Sequence, residues 1–274
     1  MDTRPIGIFD SGSGGLTAVR ALEQLLPNEA IIYVGDTARM PYGSRSRREI
    51  SQFSHEIVAY LLRQNVKAII AACGTISTNA PELRQEAAIP YYDVISASAA
   101  AAAQKTKSGR VGLVATSATI RSKSFAEAVE AVTGQPVTAV ACPLLAPMIE
   151  HGATAADPAL CRAVETYCQP LLAASVDTVI LGCTHFPLVA GVFARVLGPK
   201  VSLIDSGAEA AWYTARALGA LALLSESAPT PPRFYFTGDA AKTARQAGAY
   251  LYGRDISAET QELSLNDLLQ GGTI

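Results

Sequence analysis

No stretch of this 274-residue sequence is apolar for long enough to cross a bilayer. The longest small-residue tract, 96–103, is polar at its edges. No membrane association is expected. Basic excess is also missing: 22 Lys and Arg stand against 24 Asp and Glu, a net charge of −2. A duplex-binding domain carries a basic stripe, so nucleic acid is not an expected partner. The five cysteines, at 73, 142, 161, 168 and 183, form no CxxC pair. The three histidines, at 55, 151 and 185, keep no ligand spacing from them. That argues against a zinc finger and a disulfide framework, and no metal is expected. No leader-like segment is visible, so the expected location is cytoplasmic.

What is present is a globular composition, 49% hydrophobic and 17% charged. The length exceeds that of one typical domain. Short apolar runs (6–9, 30–34, 68–72, 111–115, 137–141 and 179–181) alternate with amphipathic stretches such as 16–26 and 51–63. That rhythm predicts an α/β fold with largely parallel sheets. Ligands in such sheets bind at the carboxyl ends of the strands. Asp10, Asp36, Cys73, Thr116 and Cys183 all fall there.

The rhythm repeats. Val66-Lys67-Ala68-Ile69-Ile70-Ala71-Ala72-Cys73 matches Val176-Asp177-Thr178-Val179-Ile180-Leu181-Gly182-Cys183, at an offset of 110. Ile6-Gly7-Ile8-Phe9-Asp10-Ser11 resembles Val111-Gly112-Leu113-Val114-Ala115-Thr116, at an offset of 105. Two similar halves are implied, each ending a strand on a cysteine followed closely by a hydroxyl residue. A further helix (208–218), a proline-rich loop and a strand (233–236) follow.

The loop Asp10-Ser11-Gly12-Ser13-Gly14-Gly15 lacks the third glycine of a dinucleotide fingerprint and the lysine of a P-loop. It reads instead as a backbone-amide nest for a carboxylate or phosphate. Cys73 and Cys183 are the sharpest candidates. A thiol with its ordinary pKa near 8.5 needs a poising partner. Asp10 could serve Cys73, and His185 with Glu150 could serve Cys183. Cys142, Cys161 and Cys168 read as structural, and His55 as a solvated surface residue. A Cys-His hydrolase stays open as an alternative, as does a carboxylate-binding protein without catalysis. The hydrolase would leave one matched thiol idle.

At these residues the chain resembles the glutamate racemases of the aspartate/glutamate racemase superfamily. The segments that carry the resemblance are 7–16, 35–43, 73–75, 116–122, 181–188 and 204–207. The resemblance implies two pseudo-symmetric flavodoxin-like domains with the active site between them. The expected division is 1–95 with 208–274, and 96–207. It implies racemisation of glutamate without cofactor, Cys73 acting on D-glutamate and Cys183 on L-glutamate. Asp10, Glu150 and His185 would assist proton transfer. Ser11, Asp36, Tyr42, Gly43, Gly74, Thr75, Thr116, Thr119 and Thr184 would bind substrate. It also implies a homodimer and a supply of D-glutamate for peptidoglycan, hence a role in cell wall biogenesis and cell shape. Aspartate racemisation is the neighbouring alternative. One position departs from the family: Gly74 stands where asparagine is usual. Gly74→Asn is therefore expected to fold and to be at least as active as the parent.

Overall fold

The structure is a computed structural model that describes residues 1–251 and 254–270. Among the described residues, ten strands lie in two sheets. The first half supplies β1 (Ile6–Asp10), β2 (Ile31–Gly35), β3 (Ala68–Ala71) and β4 (Tyr91–Asp93). The second supplies β5 (Val111–Ala115), β6 (Thr138–Ala141), β7 (Thr178–Leu181) and β8 (Ser202–Asp205). The tail adds β9 (Arg233–Phe236) and β10 (Thr260–Glu262). One sheet runs β10-β9-β2-β1-β3-β4 and the other β6-β5-β7-β8. Every pairing is parallel.

The order β2-β1-β3-β4 recurs as β6-β5-β7-β8, which is the repeat seen in the sequence. In both, the order reverses beside the first strand, so a crevice opens at the carboxyl ends of β1 and β3 and again at those of β5 and β7. β1, β2, β3, β5 and β7 are buried along their whole length. Continuous apolar runs are what a strand covered on both faces requires. β4, β8 and β10, of three or four residues each, give no periodic signal strong enough to be read beforehand.

Two helices join the sheets. Asp93 ends β4 and caps helix Val94–Lys105, accepting from the amides of Ile95 and Ser96. Asp205 ends β8 and caps helix Ser206–Ala220, accepting from Gly207 and Ala208. An aspartate cap satisfies otherwise orphaned amides in the first turn. The two helices pack on each other, and the second also packs on helix Leu16–Leu25. One continuous core results, holding Ile6 and Ile8 of β1 together with Leu113 of β5 and Ile180 of β7. The boundaries expected at 95/96 and 207/208 fall inside the first turns of these helices.

A buried ion pair ties the base of the first sheet. Lys67 Nζ lies 2.6 Å from Glu29 Oε2. It also donates to the carbonyls of Asp2 and Leu223, at 2.6 and 2.7 Å.

Candidate active site

Cys73 follows β3 and caps helix Gly74–Asn79. Cys183 follows β7 and precedes the 3-10 turn Phe186–Val189. Both thiols are buried to about the same degree, 5% and 6% exposed. They line one cleft of about 380 Å3 between the sheets, within the usual size of a small-molecule pocket. Ser11, Tyr42, Gly43, Gly74, Thr75, Thr116, Thr184, Glu150 and His185 line it too.

Each thiol has its own polar chain. Ser11 Oγ lies 3.5 Å from Cys73 Sγ and 3.4 Å from Asp10 Oδ1. Across the cleft, Cys183 Sγ lies 3.8 Å from His185 Nδ1, and His185 Nε2 stands 3.2 Å from Glu150 Oε1. Asp10 connects the two sides: Thr184 Oγ1 donates to its Oδ2 at 3.1 Å. A second bridge links Thr75 Oγ1 to Thr116 Oγ1 at 2.9 Å. Hydroxyls from both halves therefore meet at the cleft.

Burial sets the resting charges. The Cys73 thiol is pushed up to about 12, by burial first and then by the nearby Asp10 carboxylate, so it rests protonated near neutrality. Asp10 is raised by burial, which the His185 charge and the Gly12 amide only partly offset. Burial opposes a charge on His185, but hydrogen bonding to Cys183 and Glu150 outweighs it and raises this histidine well above the ordinary range. A charged imidazole beside a sulfur is the setting that poises a thiolate.

Several expectations need correction. Asp36 does not line the cleft. It is fully buried and accepts from Tyr42 Oη, from Arg39 Nε at 2.7 Å and from Thr237 Oγ1 at 2.6 Å. It holds Tyr42 in place rather than a substrate. Thr119 is likewise buried behind Thr116, with its Oγ1 3.0 Å from Thr116 Oγ1. Asp10 lies beneath the cleft floor. The glycine loop is not an open anion nest: its Gly12 amide donates to Asp10 Oδ1 at 2.7 Å. Its Gly14 packs so tightly on Thr184 and His185 that a side chain there would collide with both. His55 is half-buried rather than freely solvated: its Nε2 lies 2.6 Å from Oε2 of the exposed Glu86.

Gly74 brings the largest correction. A Cβ built there would stand 2.4 Å from the Gly182 carbonyl oxygen. The backbones that carry the two thiols touch at this point, and no space awaits an asparagine. The expected gain from Gly74→Asn is withdrawn.

Reading the sequence alone missed part of the lining. Cys142, which follows β6 as Asp36 follows β2, lines the cleft, as do Met40, Ser117, Arg121 and Pro147. The repeat could have signalled Cys142, because its amide bonds to Ala115 as that of Asp36 bonds to Asp10. Burial raises the Cys142 thiol above its ordinary range. Cys168, deep in the core, is pushed up to about 11 by burial.

The sequence profile of Asp/Glu/Hydantoin racemase matches residues 7–214. The chain belongs to the Asp/Glu/hydantoin racemase family. Within that family, it is 43% identical to a glutamate racemase of Neisseria meningitidis serogroup A over 258 residues, covering 92% of this chain and 94% of the relative. The fold superposes on a glutamate racemase of Bacillus anthracis with a TM-score of 0.91 at 34% identity, over 97% of this chain and 99% of that one. A glutamate racemase of Francisella tularensis, solved in complex with D-glutamate, gives 0.87 at 36% identity, over 97% and 99%. The racemase family thus joins two pseudo-symmetric halves around one cleft in this chain.

Proposed function

We propose that this chain is a glutamate racemase that interconverts L- and D-glutamate with Cys73 and Cys183 as paired acid and base. The observation that carries the reading is two buried sulfurs at matched strand ends, facing one cleft from two related halves. Racemisation needs a proton removed from one face of the α-carbon and returned to the other. Pseudo-symmetric halves offer one group to each face.

In one direction the Cys183 thiolate, beside a charged His185, takes the α-proton. The electron pair left on the α-carbon delocalises into the adjacent carboxylate. The Cys73 thiol then gives its proton to the opposite face, and the two sulfurs end with their states exchanged. The reverse direction starts from the Cys73 thiolate, and Ser11 is placed to donate to that sulfur. Ser11, Thr75, Thr116 and Thr184 supply hydroxyls for the substrate carboxylates. Asp10, His185 and Glu150 are the groups we assign to proton bookkeeping around the sulfurs.

The curated relatives named glutamate racemase support glutamate over aspartate. A cytoplasmic homodimer that supplies D-glutamate for the cell wall is part of the same proposal and rests on the resemblance. We also take residues 1–95 with 208–274, and 96–207, as the two units, adjusted to the capped helices. Incubation of the purified enzyme with one enantiomer in deuterated water tests the activity. The expected result is α-deuterium incorporation with decay of optical rotation. Hydrolysis of an ester or amide without α-exchange would instead favour the thiol hydrolase.

A further inference from the structure

We propose that Thr237, contributed by the tail, is a positioning residue for the cleft. Its hydroxyl fixes Asp36, and Asp36 in turn fixes the wall that presents Tyr42 and Gly43 to the substrate. This deepens the racemase reading and rests on it.

The parallel strands β2 and β9 end side by side, with Gly35 opposite Phe236. Beyond them the two segments stay joined by hydrogen bonds. The Thr237 amide donates to the Gly35 carbonyl at 3.1 Å, and the Gly238 amide to Thr37 Oγ1 at 2.9 Å. Thr237 Oγ1 accepts from the Ala38 amide at 3.0 Å and donates to Asp36 Oδ1 at 2.6 Å. One hydroxyl thus gives its proton to Asp36 and a lone pair to Ala38. Thr237 is buried and Asp36 fully so. Removing the hydroxyl would leave a carboxylate oxygen and an amide short of a partner, away from bulk water.

The other oxygen of Asp36 turns this anchor toward the cleft. It accepts from Tyr42 Oη and, at 2.7 Å, from Arg39 Nε. Arg39 also pairs with Glu56 of helix Arg47–Arg63. Met40, Tyr42, Gly43 and Ser44 line the cleft, whereas Thr237 does not. The turn Tyr42–Ser44 packs on helix Ser117–Ser122 of the second half. The wall that Asp36 holds therefore also sets how the two halves meet. A wall that touches substrate equally in the ground state and the transition state acts on KM more than on kcat. A residue that served stability alone would lower the melting temperature and leave KM where it was.

The test measures racemisation kinetics and thermal melts for the parent, Thr237→Val, Thr237→Ser, Tyr42→Phe and the double variant Thr237→Val with Tyr42→Phe. Thr237→Val keeps the shape and removes the hydroxyl. It is expected to raise KM for glutamate about three- to tenfold, with kcat held within about twofold. Thr237→Ser restores the hydroxyl and should return KM toward the parental value. Tyr42→Phe cuts the same chain at its cleft end and should raise KM by a similar factor. Because both act through Asp36, the double variant should show less than the product of the two single effects. Lys67→Met, at the base of the same sheet, is the stability control: it should melt lower and keep the parental KM. Thr237→Ala takes the place of Thr237→Val if valine prevents folding. A folded variant without the hydroxyl and with parental KM overturns the proposal, as does a fall in kcat alone. A raised KM that serine does not restore, or fully multiplicative effects in the double variant, overturn it too. A parent that does not racemise glutamate overturns the racemase reading and this inference together.

Discussion

Replacing Gly74 by alanine adds one methyl group at the point where the two thiol-bearing backbones meet. That methyl would stand 2.4 Å from the Gly182 carbonyl oxygen, where ordinary contact begins at 3.4 Å. The obstacle is backbone, not the tip of a flexible side chain, so the halves must part by roughly 1 Å. Gly74 follows Cys73 and Gly182 precedes Cys183, so the displacement is passed directly to both sulfurs. Overpacking of this kind costs about 1–3 kcal/mol of stability. A misplacement of about 1 Å at reacting groups can cost about a hundredfold in rate. Gly74→Ala is therefore expected to melt below the parent and to lose between about ten- and a hundredfold in kcat. Gly74→Asn, with more atoms to place, should lose at least as much. Gly191→Ala is the control, because a Cβ there meets nothing within 4 Å. The assay is racemisation followed by optical rotation, with melting followed by circular dichroism. A Gly74→Ala enzyme with parental kcat and melting temperature would refute the contact, and with it the close approach of the two backbones.

Cys73→Ala and Cys183→Ala should each abolish racemisation, whereas Cys142→Ala, Cys161→Ala and Cys168→Ala should leave it measurable; a single-enantiomer time course distinguishes them. Glu150→Gln removes a partner that raises His185, so the alkaline limb of the kcat/KM profile should move to lower pH. By the same linkage, the stabilisation from charged His185 is fully present below its unfolded pKa and is lost as pH rises through the raised folded value. The melting-temperature gap between the parent and His185→Gln should accordingly narrow toward alkaline pH. Lys67→Met leaves Glu29 buried without its cation and should cost about 3–5 kcal/mol in a denaturant titration. A smaller loss, within about 1 kcal/mol, would show that water reaches the pair.

The residue order alone determined the alternation of strands and helices, the two-fold repeat and the two thiols that end matched strands. These are local properties: a strand covered on both faces must be a continuous apolar run, and a parallel sheet puts loops at its carboxyl edge. The apolar runs before the two cysteines, 68–72 and 179–181, were therefore legible. Other features depend on groups brought together from distant parts of the chain, and only the tertiary structure decided them. Asp36 stands at a strand end like Asp10, yet Thr237 and Tyr42 close over it, and nothing near position 36 in the sequence announces Thr237. Cys142 reads as one more small apolar residue until β6 takes its place beside β5. Gly74 looked like a gap awaiting a side chain, because a sequence displays what is missing from a residue but not what occupies the space beside it. The Gly182 carbonyl occupies it, through close packing between segments 108 positions apart in the chain.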